Sequence, residues 1–315
     1  MGLTVEPSFG QWHASSKGNQ AKWMQLLEAA QQGNFDGMLR FLSLKRSFDI
    51  NQTNNAGYTA LMAAARNGHV EVVDKLIEKG ADVHYINEDG RAALIEAAEN
   101  GHAEVVGKLL ELGVDTDLPG YNEHRALIKA ARNGHTEIVG KLIEKGVDVN
   151  KPNEDYYKDT ALMEAAENGH SEAVSKLIAL GADVNKTNKD GYTALIKAAR
   201  NGHTEIVGKL IEKGADVNYI SWYGQTALIE AAANGHTEVV DKLIEKGADV
   251  NQAGGVYKDT ALMWAARHGH AEIVGKLIGQ GVDVNQVNKD GKTALICAVE
   301  EHKMKVVEIL RQNKQ

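Results

Sequence analysis

An all-α stack of helix–turn–helix units is predicted by three features of this 315-residue sequence. A TAL-like tripeptide recurs with its alanine at Ala60, Ala93, Ala126, Ala161, Ala194, Ala227, Ala261 and Ala294, in steps of 33, 33, 35, 33, 33, 34 and 33 residues. Each tripeptide opens two apolar patterns of helical period, separated by a turn containing Gly. A unit of this size cannot bury its apolar stripe alone, so the copies are expected to stack, each against its neighbours.

The fifth copy, KDGYTALIKAARNGHTEIVGKLIEKGADVN from Lys189 to Asn218, displays the elements in order. Thr193 is placed to cap the first helix by accepting from a backbone N–H. Leu195, Ala198 and Ala199 recur at i, i+3 and i+4 and make one stripe, and the two alanines are small enough for close approach between repeats. Asn201-Gly202 reverses the chain, since Gly takes the left-handed conformation that a helix end requires. Ile206, Val207, Leu210 and Ile211 form the buried stripe of the second helix, which stops at Gly214. Four such aliphatics at about 1.5–3 kcal/mol each outweigh any surface contribution. The outer face carries Glu205–Lys209 and equivalent i,i+4 pairs in other repeats, worth about 0.2–0.5 kcal/mol each. Ala215-Asp216-Val217-Asn218 then leads into an extended finger.

The ends differ from the middle, as the ends of a stack must. Residues 22–42, KWMQLLEAAQQGNFDGMLRFL, repeat the pattern in degenerate form, with Leu26, Ala29, Ala30 and Gly33 at the positions of Leu195, Ala198, Ala199 and Gly202. All four Phe (Phe9, Phe35, Phe41, Phe48) lie in the first fifty residues. We expect a flexible tail over 1–20 and one repeat domain over 21–315. Within it, 21–54 is a degenerate N-terminal cap repeat, followed by eight repeats over 55–315, the last a C-terminal cap. With both caps in place the stack is read as complete.

A period near 33 built as turn, helix and helix resembles the ankyrin repeat, over about residues 21–315. The resemblance implies an ankyrin-repeat solenoid with β-hairpin finger loops, no catalytic activity, and a concave recognition surface lined by fingers and first helices. Departures from the family pattern matter for stability. Its TPLH becomes TALM or TALI, and the capping Thr is replaced by Ala92 in the second repeat and Arg125 in the third. Losing a cap costs about 1 kcal/mol, so the first third of the stack should be softer. Gly107, Gly140, Gly208 and Gly275 sit within second helices, where each costs about 0.8–1.0 kcal/mol relative to Ala.

Composition narrows the function classes. A formal charge of −8 argues against a nucleic-acid partner, which would call for a basic stripe. One cysteine, Cys297, excludes an internal disulfide framework and fits a reducing compartment. No apolar run reaches about 18 residues, so no membrane insertion is expected. The first twenty residues lack a basic start and an apolar segment, and Glu6 stands where a myristoylation motif wants Ser or Thr. The expected location is the cytoplasm, or a host cytosol if the chain resembles the ankyrin proteins that intracellular bacteria deliver.

One His per repeat (His69, His102, His135, His170, His203, His236, His270) could suggest a metal. Stacked helices would hold these about 8–10 Å apart, too far for shared ligation, so they are read as turn residues at the start of each second helix. No triad, P-loop or HExxH spacing occurs, and no cofactor, metal or catalytic residue is assigned.

The informative variation lies three and six residues after each tripeptide alanine. These positions read Ala63/Arg66, Glu96/Glu99, Lys129/Arg132, Glu164/Glu167, Lys197/Arg200, Glu230/Ala233, Trp264/Arg267 and Cys297/Glu300. Like charges within one helix repel, but the sign alternates between repeats, which sets each pair against opposite neighbours. As exposed ion pairs worth about 0–1 kcal/mol each, they would serve register and solubility, and the alternative is a polar docking surface. The ladder breaks at Ala233, Trp264 and Cys297. All nine Tyr and Trp222 are assigned to fingers, as contact area for a partner or as rings packing finger on finger. Where the two signals meet, the predicted partner-binding residues are Trp222, Tyr223, Ala233, Tyr257, Trp264, Arg267, Tyr192 and Tyr219. A buried core position is the competing reading of Trp264. The expected molecule is a monomer that binds a protein or peptide, and the alternative is an architectural spacer with no specific groove ligand.

Overall fold

The computed structural model describes residues 17–43, 49–113 and 121–313. The described helices form nine consecutive pairs. The first is α1 (Lys17–Gln32) with α2 (Phe35–Ser43), so helix begins inside the last residues assigned to the tail. Next come α3 (Ala60–Arg66) and α4 (Val70–Glu78), α5 (Ala93–Glu99) and α6 (Ala103–Glu111), α7 (Tyr121–Arg132) and α8 (Thr136–Glu144), and α9 (Ala161–Glu167) and α10 (Ser171–Ala179). They continue as α11 (Ala194–Arg200) and α12 (Thr204–Glu212), then α13 (Ala227–Asn234) and α14 (Thr237–Glu245). The last are α15 (Ala261–His268) and α16 (Ala271–Gly279), and α17 (Ala294–Glu300) and α18 (Met304–Gln312).

The chain divides into two compact units, residues 1–130 with 141–147 and residues 131–140 with 148–315. In the first, α1 packs on α3 and α3 on α5, while α2 packs on α4 and α4 on α6. In the second, α9, α11, α13, α15 and α17 make one row, and α10, α12, α14, α16 and α18 another. The opening pair shares this packing through Leu26, Ala29, Ala30 and the fully buried Trp23.

Local chemistry explains the boundaries. Thr59, Thr160, Thr193, Thr226, Thr260 and Thr293 each accept from the backbone N–H three residues on, at 3.1–3.4 Å. Ala92 makes no such bond, as its side chain requires. The fingers are tight turns closed by backbone bonds such as Asn188 N–H to Tyr192 O (3.0 Å), with Asn188 Oδ1 also accepting from Tyr192 N–H (2.8 Å). One carries a two-stranded antiparallel ladder, β1 (Ala253–Gly254) with β2 (Asp259–Thr260), in register Ala253 to Thr260.

The histidines open the second helices as expected, and each does more than turn the chain. His69, His102, His170, His203, His236 and His270 place Nε2 2.8–3.1 Å from a carbonyl at the end of the preceding first helix. The turn glycine admits the ring: Gly202 sits at φ +80°, and a Cβ there would lie 2.7 Å from His236 Nδ1. A second clasp joins the finger bases. Asn185 donates to Gly214 O (3.0 Å) and accepts from Asp216 N–H (2.9 Å) in the next repeat.

Several expectations are corrected. In α11 every residue from Ala194 to Ala199 is buried, Lys197 included, because a first helix is covered by both neighbouring first helices and by its own second helix. Conversely Ile211 is only half-buried. At about 100° per residue it lies roughly 90° from the centre of the Ile206/Val207/Leu210 stripe, at the rim. The third first helix starts at Tyr121, five residues before Ala126, which moves Tyr121 out of the fingers and Arg125 into the helix. Without a capping Thr at 125 the helix runs back towards Pro119-Gly120, with Glu123 favourably in its first turn. Residues 117–120 of that finger, the tail to residue 16, Phe9 and Phe48 lie outside the described residues.

The outer face also differs in detail. Lys209 pairs with Glu205 at 2.9 Å and Lys276 reaches Glu272 at 4.0 Å, as the i,i+4 spacing implies. Lys75 and Lys242 instead take Glu78 and Glu245 at i,i+3, and Lys108 and Lys276 cross to Asp74 and Asp241 of the preceding repeat. Beside Gly208 and Gly275 a Cβ would meet nothing within 4 Å. Each Gly→Ala change there should therefore stabilise the chain by about 0.8–1 kcal/mol, read as a rise in the urea midpoint.

Candidate partner-binding surface

The alternating charges close diagonally from one repeat to the next. Within the first unit Arg66 Nε lies 3.9 Å from Glu96 and Lys129 Nζ 2.9 Å from Glu99. Within the second, Arg132 grips Glu164 with two bonds of 2.6 and 2.7 Å, Lys197 meets Glu167 at 2.7 Å, and Arg200 lies 3.8 Å from Glu230. The residue six after one alanine thus pairs with the residue three after the next, or three after with six before. Arg267 extends the same diagonal to Cys297 Sγ at 3.7 Å.

These are not the exposed pairs the sequence suggested. Glu96 is 0% exposed, Glu164 2% and Lys197 9%, because the position three after the alanine lies beneath the fingers. Tyr58 from the first finger donates its hydroxyl to Glu96 at 2.7 Å, and Tyr192 donates to Glu230 at 3.3 Å. The fourth and seventh fingers, lengthened where the repeat steps are 35 and 34 residues, join in. Asp159 is buried, accepts from Asn188 (2.9 Å) and pairs with Lys197 at 3.0 Å. Asp259 is buried likewise, accepts from Asn288 (2.7 Å) and takes Arg267 at 3.3 Å. Burial by itself would lower the Lys197 pKa, but Asp159 and Glu167 more than reverse this and hold the ammonium above its usual range. Burial pushes Glu230 up, with Arg200 opposing.

Burial, reinforced by Glu96, pushes the Tyr58 hydroxyl to about 12, and burial with Glu230 does the same for Tyr192. Unfolded tyrosine ionises near 10, so this contribution is complete below pH 10 and is lost as pH rises towards 12. Tyr58→Phe/Tyr192→Phe should accordingly flatten the fall in stability between pH 10 and 12, measured by urea unfolding across that range.

The predicted contact residues fall into distinct groups. Trp222 is 72% exposed, and Tyr223 and Tyr257 are exposed. Trp222 lies over the preceding finger, where a Cβ on Gly191 would come 2.5 Å from its Cδ1, and its N–H donates to Asp190 O at 3.2 Å. Trp264, Arg267, Tyr192, Tyr219 and Ala233 are half-buried. The Trp264 ring is therefore neither a core ring nor fully free. It stacks on His268 at 5.6 Å and 12°, with the Arg267 guanidinium 5.0 Å from its centroid. His268, four residues after Trp264 on one helix face, was missed by sequence reasoning although its spacing was legible. Among the described residues Trp222 and Trp264 make no ring contact with each other, so the predicted set does not close into one aromatic cluster. Ala233 serves through its carbonyl, which binds His270 Nε2 at 3.1 Å.

Finger packing adds a second level of order. Tyr157 O accepts from Lys189 N–H (2.9 Å), Asp190 O from Trp222 N–H (3.2 Å), and Tyr257 O from Lys289 N–H (2.8 Å). Between the sixth and seventh fingers the backbones touch, such that a Cβ on Gly224 would sit 1.8 Å from Gly255 N. The fingers of repeats four to eight are thereby braced in series. On their first-helix side a cleft of about 490 Å³ opens, walled by Tyr157, Tyr192 and Tyr223 and floored by Asp159, Glu167 and Lys197. Tyr157 was outside the predicted set.

Stacked helix pairs, threonine caps and inter-repeat histidines define a helical repeat protein built to present a surface. A family model described as ankyrin repeats matches residues 26–120, 113–188, 165–254 and 252–315, and the chain belongs to the ankyrin-repeat family. Ankyrin repeats are in general non-enzymatic modules that bind proteins. Over 52 residues the chain is 48% identical to inversin of Danio rerio, a stretch that is 16% of this chain and 5% of inversin. Among the described residues no helix is long and apolar enough to cross a membrane, and no group of three or more His, Cys, Asp or Glu is arranged to hold a metal.

Proposed function

We propose that this chain is a non-catalytic interaction module that docks a folded protein or an extended peptide on the fingers and first helices of its second unit. Trp222 and Trp264 are the leading anchors, with Tyr223, Tyr257, Tyr192, Tyr219, Ala233 and Arg267 around them. It acts as a monomer in the cytoplasm, or in a host cytosol if delivered there.

The observation that carries this reading is the position of the aromatic rings. Trp222, Tyr223 and Tyr257 stand exposed on fingers that are already braced by backbone bonds. Exposed tyrosine and tryptophan on a stiff support give contact area at low entropic cost, which is the composition of binding hot spots. Trp264 and Arg267 continue the surface onto α15 with a stacked, half-open ring.

Trp222→Ala/Trp264→Ala should lower affinity by at least about 30-fold for a partner purified on the unaltered chain, since truncating a hot-spot ring costs about 2 kcal/mol or more. The melting temperature should hold, because neither side chain belongs to the core. Unchanged affinity in a folded double variant would remove both anchors and favour a spacer role.

A further inference from the structure

We propose that the cleft between Tyr157, Tyr192 and Tyr223 is a subsite for a cationic side chain, arginine above lysine, carried by an extended segment of the partner. This rests on the interaction-module reading and assigns the chemistry of one position within it.

The charges lining the cleft are unequal and unequally engaged. Five carboxylates face three cations. Both bonds of Arg132 go to Glu164, Lys197 is held by Asp159 and Glu167, and Arg200 faces Glu230. No cation is left for an anionic guest. Acceptors do remain. Asp190 spends only its backbone, its N–H on Asn188 Oδ1 (3.0 Å) and its carbonyl on Trp222, which leaves its carboxylate unpaired. Asp155, which also lines the cleft, is held within its own finger, accepting from Asn153 Nδ2 (2.8 Å) and from the N–H groups of Tyr157 (3.0 Å) and Lys158 (3.1 Å).

The walls favour the same guest. Tyr157 and Tyr223 are exposed rings on braced fingers, and a tyrosine face attracts a cation. The chain already seats one of its own cations in this way beside the cleft, with Lys189 Nζ 3.7 Å from the centroid of Tyr156. A guanidinium is planar, stacks on aromatic rings and donates in a fork to carboxylates, so arginine can use wall and floor together where lysine uses one at a time.

The test titrates the full chain, carrying isotope-labelled tyrosine and tryptophan rings, with three capped pentapeptides of identical sequence except for a central Arg, Lys or Glu. Tyrosine signals are assigned by single Tyr→Phe variants. Saturable shifts at Tyr157, Tyr192 and Tyr223 with the Arg peptide, weaker ones with Lys and none with Glu, are expected. Asp190→Asn should weaken the Arg peptide at least fivefold at an unchanged melting temperature. Equal response to Glu, no response at millimolar Arg peptide, or Asp190→Asn binding as tightly as the unaltered chain would each overturn the assignment. Shifts confined to the Trp222 and Trp264 indoles would overturn it too, while leaving the wider docking surface standing.

Discussion

Lys197→Met should destabilise the second unit by about 3 kcal/mol or more, although lysine on a helix surface is ordinarily among the most replaceable residues. The ammonium joins Asp159 at 3.0 Å and Glu167 at 2.7 Å, with side chains 11%, 5% and 38% exposed respectively. Removing one partner from a buried pair costs about 3–5 kcal/mol, because the charge left behind keeps its desolvation penalty without its compensation. Asp159 would retain only the bond from Asn188. Methionine keeps the apolar stem, so lost packing contributes little. The companion variant Asp159→Asn/Lys197→Met removes the stranded charge and should recover at least half of the loss. Urea unfolding monitored by circular dichroism checks both, with hydrogen exchange at α11 locating the effect. A loss below about 1 kcal/mol for Lys197→Met would mean that water reaches this triad and that the ladder is a surface feature after all.

Gly224→Ala should cost about 2–4 kcal/mol and separate the sixth and seventh fingers. Gly224 has φ +75°, where an L side chain is strained by about 1 kcal/mol or more, and its new Cβ would meet backbone 1.8 Å away at Gly255 N and 2.4 Å away at Gly255 Cα. Backbone cannot swing aside as a flexible side chain can, so one finger must move. The β1–β2 ladder is the element in the way. We expect a lower melting temperature and faster amide exchange at Gly254, Gly255 and Thr260, with α9 to α12 unaffected. The same variant should weaken partner binding, since Trp222 and Tyr223 ride on the displaced finger. Unaltered exchange at the hairpin would show that the two fingers are not in contact.

Both predictions fall where the sequence was least informative, and the reason is the same. The period, the helix pairs, the threonine caps and the turn glycines were legible because each depends on residues within a few positions of one another. Thr193 meets Ile196 N–H three residues on, and the stripe of Ile206, Val207 and Leu210 is set by helical geometry alone. The alternation of charge was legible too, and its consequence, diagonal pairing between repeats, followed from it.

Burial was not legible. Lys197 reads as a polar residue on an amphipathic helix, yet its partners Asp159 and Glu167 are 38 and 30 residues away, and the fingers that cover its position come from other repeats. The same holds for His236, whose turn position was clear while its bond to Arg200 O was not. At Arg125 local reasoning missed the helix boundary, because a first helix without its capping Thr there extends back to Tyr121. On the candidate surface the exposed rings of Trp222, Tyr223 and Tyr257 were found from composition and position, whereas the place of Tyr157 in the cleft and the open carboxylate of Asp190 needed coordinates. The sequence by itself determined the repeating unit, since hydrophobic period and capping are properties of a short segment. Only the tertiary structure decided which charges are enclosed and which rings and carboxylates share a cleft, since enclosure depends on side chains that stacking brings together from about thirty residues apart.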